Sequence, residues 1–297
     1  MHICLVCHTE PDVWDGGFRS IDTILPQFLD MIEEVRDTVG GKPRVAWCLT
    51  SQVIKNRPEP FRNMPALGHE IGVHSHFPGT TGILEHDQEL NAHNLNEFHV
   101  WFRNLCGQFA DAGFPPPRTH ASWMFAYRDH MTRFLENTGI HIDGSICYGG
   151  RHALSGGFLL ADSRNRKSGK PYKLDENNHC GEGNSSVVEI PVSGGLGCYW
   201  KADLSGEFQF FSPIRSDQEM NRQYELFQDR LMALKTGEVD IFHIHFHLYE
   251  FLPPDGTGPE RIDRAKGLLS LLAQDNRVNF STPSKAVENW EKSKQTN

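Results

Sequence analysis

Apolar residues along the chain follow two alternating rhythms. Short apolar runs of strand length are separated by longer segments in which apolar residues return every three or four positions. This alternation predicts βαβ units around a mostly parallel sheet. Strands are predicted at 2–8, 44–49, 70–76, 118–123, 140–147, 187–192, 239–247 and 277–280. Helical spacing covers 19–38, where Pro26 marks a kink or restart, and then 88–112, 129–138, 216–235 and 259–273. The stretch 150–186 is rich in Gly, Ser, Asn and Lys and breaks the rhythm. It is expected to be an irregular insertion, a rim loop or hairpin, in a single domain spanning 1–297. The whole pattern predicts an α/β fold, a distorted (β/α) barrel of about seven strands. Such barrels place their chemistry at the C-terminal ends of the strands.

Composition narrows the partners. The chain of 297 residues carries a formal charge of −9, with acids and bases interspersed. Phosphate backbones need a basic stripe, so nucleic acid is excluded as the expected partner and a small neutral or modestly charged substrate is favoured. No apolar run approaches the roughly 20 residues that span a bilayer. The opening run Met1–Cys7 lacks a basic leader and a small-residue cleavage site. Seven cysteines at scattered spacings suit a reducing compartment, and the expected location is the cytoplasm. Cys4 and Cys7 have the spacing of a metal hook, but no second pair follows, so they are expected as buried strand residues.

Histidine carries the chemical signal, with sixteen in the chain. His74 and His76 sit two apart at a strand end and share a face, so two imidazoles aim at one point, as a tetrahedral cation requires. His69 is expected to be structural. His243, His245 and His247 alternate with Phe and Ile, so all three share one side of a late strand, and His247 lies nearest its C-terminal end. After the first strand, Glu10 and Asp12 straddle Pro11 in an extended segment and can lean the same way. Hydrolysis at a metal uses one carboxylate as ligand and often a second as general base, and this pair can supply both.

Together these segments resemble the polysaccharide deacetylase superfamily (carbohydrate esterase family 4, the NodB-homology domain), as a divergent member. Gly68-His69-Glu70-Ile71-Gly72-Val73-His74-Ser75 is similar to the second motif of that family, whose histidines bind the metal. Glu10 and Asp12 resemble its paired acids, which implies Glu10 as base and Asp12 as metal ligand. Arg118, after three prolines, resembles the arginine that holds the base, with Trp123 then on the substrate-facing wall. The segment around Asp143 is similar to the fourth motif, and His247-Leu248-Tyr249-Glu250 resembles the run bearing the late histidine that acts as general acid. His245 offers itself for that role as well. Departures are plain: Pro78 occupies the usual place of the second histidine ligand, so His76 must substitute, and Glu10 is one methylene longer than the usual Asp.

The resemblance implies a deacylase acting on an amino sugar, and the expected cytoplasmic location points to an N-deacetylase or N-deformylase in surface polysaccharide biosynthesis. One divalent metal, zinc or else nickel, cobalt or iron, would be held by Asp12, His74 and His76. Glu10, His247 and Arg118 would be catalytic, and Trp123, Asp143 and His245 would support substrate binding. The expected substrate is a nucleotide- or lipid-linked sugar or an oligosaccharide. Two alternatives stand beside this expectation: a non-catalytic carbohydrate-binding member of the same fold, and an amidohydrolase-type metallohydrolase.

Overall fold

In the computed structural model, the described residues are 1–13, 15–75, 95–122, 131–147, 151–153, 159–162, 169–178, 180–196, 216–252 and 258–295. The first strand, β1 (His2–Thr9), is buried along nearly its whole length. It pairs in parallel with β2 (Val45–Leu49) on one side and β11 (Ile241–Phe246) on the other. Beyond β2 follow β3 (Glu70–Ser75), β4 (Thr119–Ser122) and β5 (Ile142–Asp143), all parallel.

The remaining gap is filled by one interrupted line. Its lower part, β9 (Val188–Glu189), pairs with β5, and its upper part, β10 (Val192–Gly195), pairs with β11. Only Ile190 and Pro191 separate them. The amides of Ile190 and Val192 still donate to Asp143 O and Ile146 O at 2.8 Å. Proline has no N–H for a sheet ladder, which accounts for the break. The sheet therefore curls round until its edges share one line, giving the distorted (β/α) barrel that the alternation predicts.

Outside the barrel, β6 (Arg151–Ala153) and β7 (Leu159–Asp162) form an antiparallel pair. β8 (Tyr172–Lys173) runs antiparallel to β9. These are described parts of the 150–186 excursion. A short β12 (Asn279–Phe280) adds to the start of β1.

Side-chain alternation sorts the residues into two layers. Ile3, Leu5 and Cys7 of β1, Trp47 of β2 and Phe242, Ile244 and Phe246 of β11 belong to the main core with α1 (Arg19–Glu34). That helix buries Ile21, Ile24, Leu25, Phe28, Met31 and Ile32, an apolar stripe at helical spacing. The Phe28 ring stacks on Phe246 at 4.8 Å between centroids and meets Trp47 edge-on at 6.2 Å. Inside the barrel, Val6, Ala46, Cys48 and Ala121 form a layer of small residues. Gly72 belongs to this crowded wall, since a Cβ there would lie 2.7 Å from Cys48 Sγ and 2.8 Å from the Thr119 carbonyl. Below it, Cys4, Ile142, Val188, Ile190 and Ile241 meet Ala286, Val287 and Trp290 of α8 (Pro283–Gln295).

Several boundaries differ from the expectation. α1 stops at Glu34 rather than 38, because the Asp37 side chain accepts from the amides of Val39 and Gly41 at 3.1 and 2.7 Å and bends the chain there. Pro26 stays within the helix. α2 (Ser51–Asn56), α3 (Glu59–Arg62) and α8 were not expected. Thr50 caps α2 and Thr282 caps α8, each accepting an amide three residues on at 3.4 Å. Pro283 is the first helical residue of α8, a start signal present in the sequence. The other helices, α4 (Leu95–Asp111), α5 (Met131–Asn137), α6 (Asp217–Met232) and α7 (Gly258–Leu272), fall within or close to predicted segments.

Candidate active site

Period two carries one set of residues into the barrel mouth. On β1 the inner face continues from Val6 to His8 and on to Glu10; on β3 it runs from Gly72 to His74; on β11 it includes His243 and His245, followed by His247. The rings converge. His8 lies 4.1 Å from His245, 4.2 Å from His74 and 5.2 Å from His247 between centroids, and His245 lies 4.7 Å from His247. One nitrogen each from His8, His245 and His247 lie within 4.8 Å of one another.

Two carboxylates border the rings. Glu10 Oε2 is 3.7 Å from His74 Nε2, and Glu10 Oε1 is 3.3 Å from His247 Nε2. Glu250 Oε1 lies 3.2 Å from His247 Nδ1, while its Oε2 accepts the His247 amide at 2.7 Å. Glu250 therefore fixes both the ring and the backbone where β11 gives way to the 3-10 turn Leu248–Phe251. Tyr249 stacks on the His247 ring at 4.7 Å.

Burial and charge divide these imidazoles. Desolvation, reinforced by neighbouring histidines, pushes His8 and His245 well below the usual histidine range, so both rings are neutral. Burial also pulls on His247, but the Glu250 carboxylate, its hydrogen bond and the Glu10 charge outweigh it and raise that ring. Beneath them, burial lowers His243 to about 4, and its Nδ1 faces the Ile190 carbonyl at 2.8 Å.

His74 shows how the site suits a cation. Its Nδ1 lies 2.8 Å from the Ala121 carbonyl, which can only accept, so Nδ1 carries the proton. In a neutral ring Nε2 is then an acceptor, and it faces an acceptor oxygen of Glu10. A proton or a cation between them resolves that opposition. A carbonyl holding the far nitrogen is also the common way in which proteins orient a metal-binding histidine. Neutral imidazoles are the ligating form for zinc and related divalent metals.

The expected site residues fare differently. Glu10, His74, His245 and His247 meet at the mouth. Asp12 is buried, and its carboxylate accepts the Ser20 amide at 3.1 and 3.3 Å, serving the first turn of α1. Arg118 precedes β4 at its N-terminal end and is exposed, so the structure does not bring it to Glu10. His76 and Trp123 lie outside the described residues. Asp143 faces the helix side of the wall, bonded to His120. His69 sits low on the wall, its Nδ1 accepting the Val45 amide at 3.1 Å.

The motifs assign no role to His8 or Glu250. The signal for His8 was the His8-x-Glu10 spacing, the same period-two device as His74-x-His76. For Glu250 it was the three-residue step from His247 into a helical turn.

No protein-family model matches the sequence, and no curated protein matches it. The fold has solved counterparts. A protein of Mycobacterium smegmatis assigned to the polysaccharide deacetylases aligns at 16% identity and a TM-score of 0.57, over 98% of this chain and 91% of that one. A GH57 branching enzyme of Thermococcus kodakaraensis aligns at 14% identity and a TM-score of 0.57, over 97% and 70%. An alpha-amylase of Thermotoga maritima aligns at 10% identity and a TM-score of 0.52, over 97% and 74%. The chain shares the deacetylase barrel, and the GH57 enzymes share it too.

Proposed function

We propose that this chain is a metal-dependent deacylase that removes an N-acyl group from an amino sugar. The observation that carries the reading is the convergence of His8, His245 and His247 at the barrel mouth beside Glu10. The fold alone does not choose between amide and glycoside chemistry. Glycoside hydrolysis runs on a pair of carboxyls flanking the sugar bond. Clustered imidazoles, His8 and His245 among them neutral, are metal donors, and they favour the amide reading.

His8, His245 and His247 would hold the cation, and His74, with Nε2 turned into the same cage, is the donor contributed by the His74-Ser75-His76 motif. When bound, such a cation polarises an acyl carbonyl and makes water more acidic. Glu10 takes a proton from the attacking water as the C–O bond forms. The same carboxyl then delivers it to the amide nitrogen as the C–N bond breaks, leaving a short carboxylic acid and a free amine. Glu250 keeps the His247 ring in register throughout.

A second reading, which the family resemblance implies, keeps His247 off the cation as general acid toward the leaving amine. The two carboxylates bracketing its ring favour it. One variant separates the two. If His247 is a ligand, His247→Ala loses bound zinc; if it is the acid, the variant keeps zinc and loses at least about 10²-fold in rate.

Within the described residues no helix is long and apolar enough to cross a membrane. With a cytoplasmic location, the substrate class is a nucleotide- or lipid-linked amino sugar in surface polysaccharide assembly. Amine release from N-acetyl and N-formyl sugar nucleotides by the zinc-loaded protein tests the activity. Elemental analysis of the purified protein comes first, and a protein that takes up no zinc, nickel, cobalt or iron would leave a carbohydrate-binding module as the better reading.

A further inference from the structure

A second polar cluster lies behind the mouth, on the helix-facing side of the wall. Ser75 Oγ is 2.8 Å from His120 Nε2, and His120 Nδ1 is 2.5 Å from Asp143 Oδ1. Ser145 Oγ donates to the same Asp143 oxygen at 2.7 Å, and Glu189, paired with Asp143 across β5 and β9, accepts the Ile146 amide at 3.0 Å. Ser75, His120, Asp143, Ser145 and Glu189 are each 0% exposed, among side chains that normally would be apolar. Burial, the Asp143 charge and a hydrogen bond to Asp143 raise Glu189 well above the carboxylate range. Burial acts upward on Asp143 too, but the His120 ring and the Ser145 hydroxyl bonded to it outweigh that and hold the carboxyl low.

Asp143 accepts from His120 Nδ1, which leaves Nε2 as the acceptor for the Ser75 hydroxyl. The order Ser–His–Asp is that of a nucleophilic triad. Complete burial denies Ser75 that use, and the Phe102 ring covers His120 edge-on at 5.6 Å. Position supplies another use. Ser75 follows His74 at the last residue of β3, and consecutive strand residues face opposite sides, so one anchors the wall while the other enters the mouth.

We propose that Ser75, His120, Asp143 and Glu189 form a positioning relay that ties the end of β3 to β4, β5 and β9 and so holds His74 aimed into the histidine cage. The inference rests on the metal reading of that cage. Asp143 fixes the His120 tautomer, His120 fixes Ser75, and Ser75 fixes the backbone from which His74 projects. Partners that orient a metal-binding histidine typically change metal affinity about 10–100-fold when removed.

The test compares Ser75→Ala, Ser75→Thr, His120→Asn and His120→Gln in the full chain. Asn reaches only the Asp143 side of the His120 position, and Gln reaches the Ser75 side. Ser75→Ala and His120→Asn should weaken zinc about 10-fold or more in chelator competition, and should speed amide exchange at Val73–Ser75 in metal-free protein. Ser75→Thr and His120→Gln should restore both. Wild-type zinc affinity together with unchanged exchange in Ser75→Ala overturns the relay. Should the wild-type protein bind no zinc, the metal reading fails instead, and exchange at Val73–Ser75 alone decides the relay. Labelling of Ser75 by a fluorophosphonate would also overturn it, by showing an accessible nucleophile.

Discussion

The helix-facing side of the barrel wall is built from opposite materials on its two halves. Across β11, β1 and β2 it presents Phe242, Ile244, Phe246, Ile3, Leu5, Cys7 and Trp47, and these residues join one apolar cluster that includes the buried face of α1. Across β3, β4, β5 and β9, Ile71 and Val73 still join that cluster, but Ser75, His120, Asp143 and Glu189, all buried, stand on the same side. Apolar packing is non-directional and tolerates small shifts in register. A buried hydrogen-bonded chain is costly unless every link is made, and so it fixes one arrangement. The apolar half serves cohesion, and the polar half serves placement of the strand that bears His74.

Removing one material from each half gives the sharpest contrast. Phe28→Ala should destabilise by about 3–5 kcal/mol, the range for a buried Phe. His120→Leu should cost about 3–5 kcal/mol as well, because it leaves the Asp143 charge buried without its partner. The origins differ, and a second substitution exposes that. Adding Asp143→Leu to His120→Leu should return much of the loss in a denaturant melt, since the stranded charge is gone. Were the losses simply additive, the two halves would be the same in kind.

A change at the mouth should move chemistry and spare stability. Glu10→Gln should lower the deacylation rate about 10²–10⁴-fold, the usual worth of a positioned base, with little change in melting temperature. A large drop in melting temperature would instead assign Glu10 to the scaffold.

His69 gives a smaller, pH-dependent effect. Burial, with the nearby Arg44 charge, lowers it to about 4, and its Nδ1 must stay unprotonated to accept the Val45 amide. A depressed histidine contributes stability above its unfolded pKa of about 6.5 and loses it as the pH falls toward 4. Between pH 7.5 and 5 the loss is about 2 kcal/mol. His69→Gln should flatten that part of the pH–stability curve, and an unchanged slope would count against the assignment.

Asp12 tests the least. As a first-turn acceptor for α1, Asp12→Ala should cost about 1 kcal/mol. Zinc content should stay at the wild-type level. Loss of zinc would return Asp12 to the metal, as the family resemblance implies.

How much of this was legible in the sequence depended on the range of the interaction. The strands were legible because period two and apolar runs are local, and the convergence of His74 with His245 and His247 follows from that same period at strand ends. Asp12 and Glu10 looked alike across Pro11, yet the Ser20 amide lies eight residues from Asp12 and turns its carboxylate toward α1. Arg118 matched a motif by order, but the start of β4 places it at the opposite end of the barrel from the histidines. The relay was illegible for a plainer reason. Ser75 and His120 are 45 residues apart and Ile146 and Glu189 are 43 apart, so strand register alone brings them together.

The layer of Val6, Ala46, Cys48 and Ala121 has its own bearing on traffic. Those side chains are 0% exposed and fill the lumen beneath the rings. The barrel is therefore closed beneath the rings by packed side chains. A ligand that reaches the rings meets this floor and goes no deeper. Whatever enters at the rings therefore leaves by the same side.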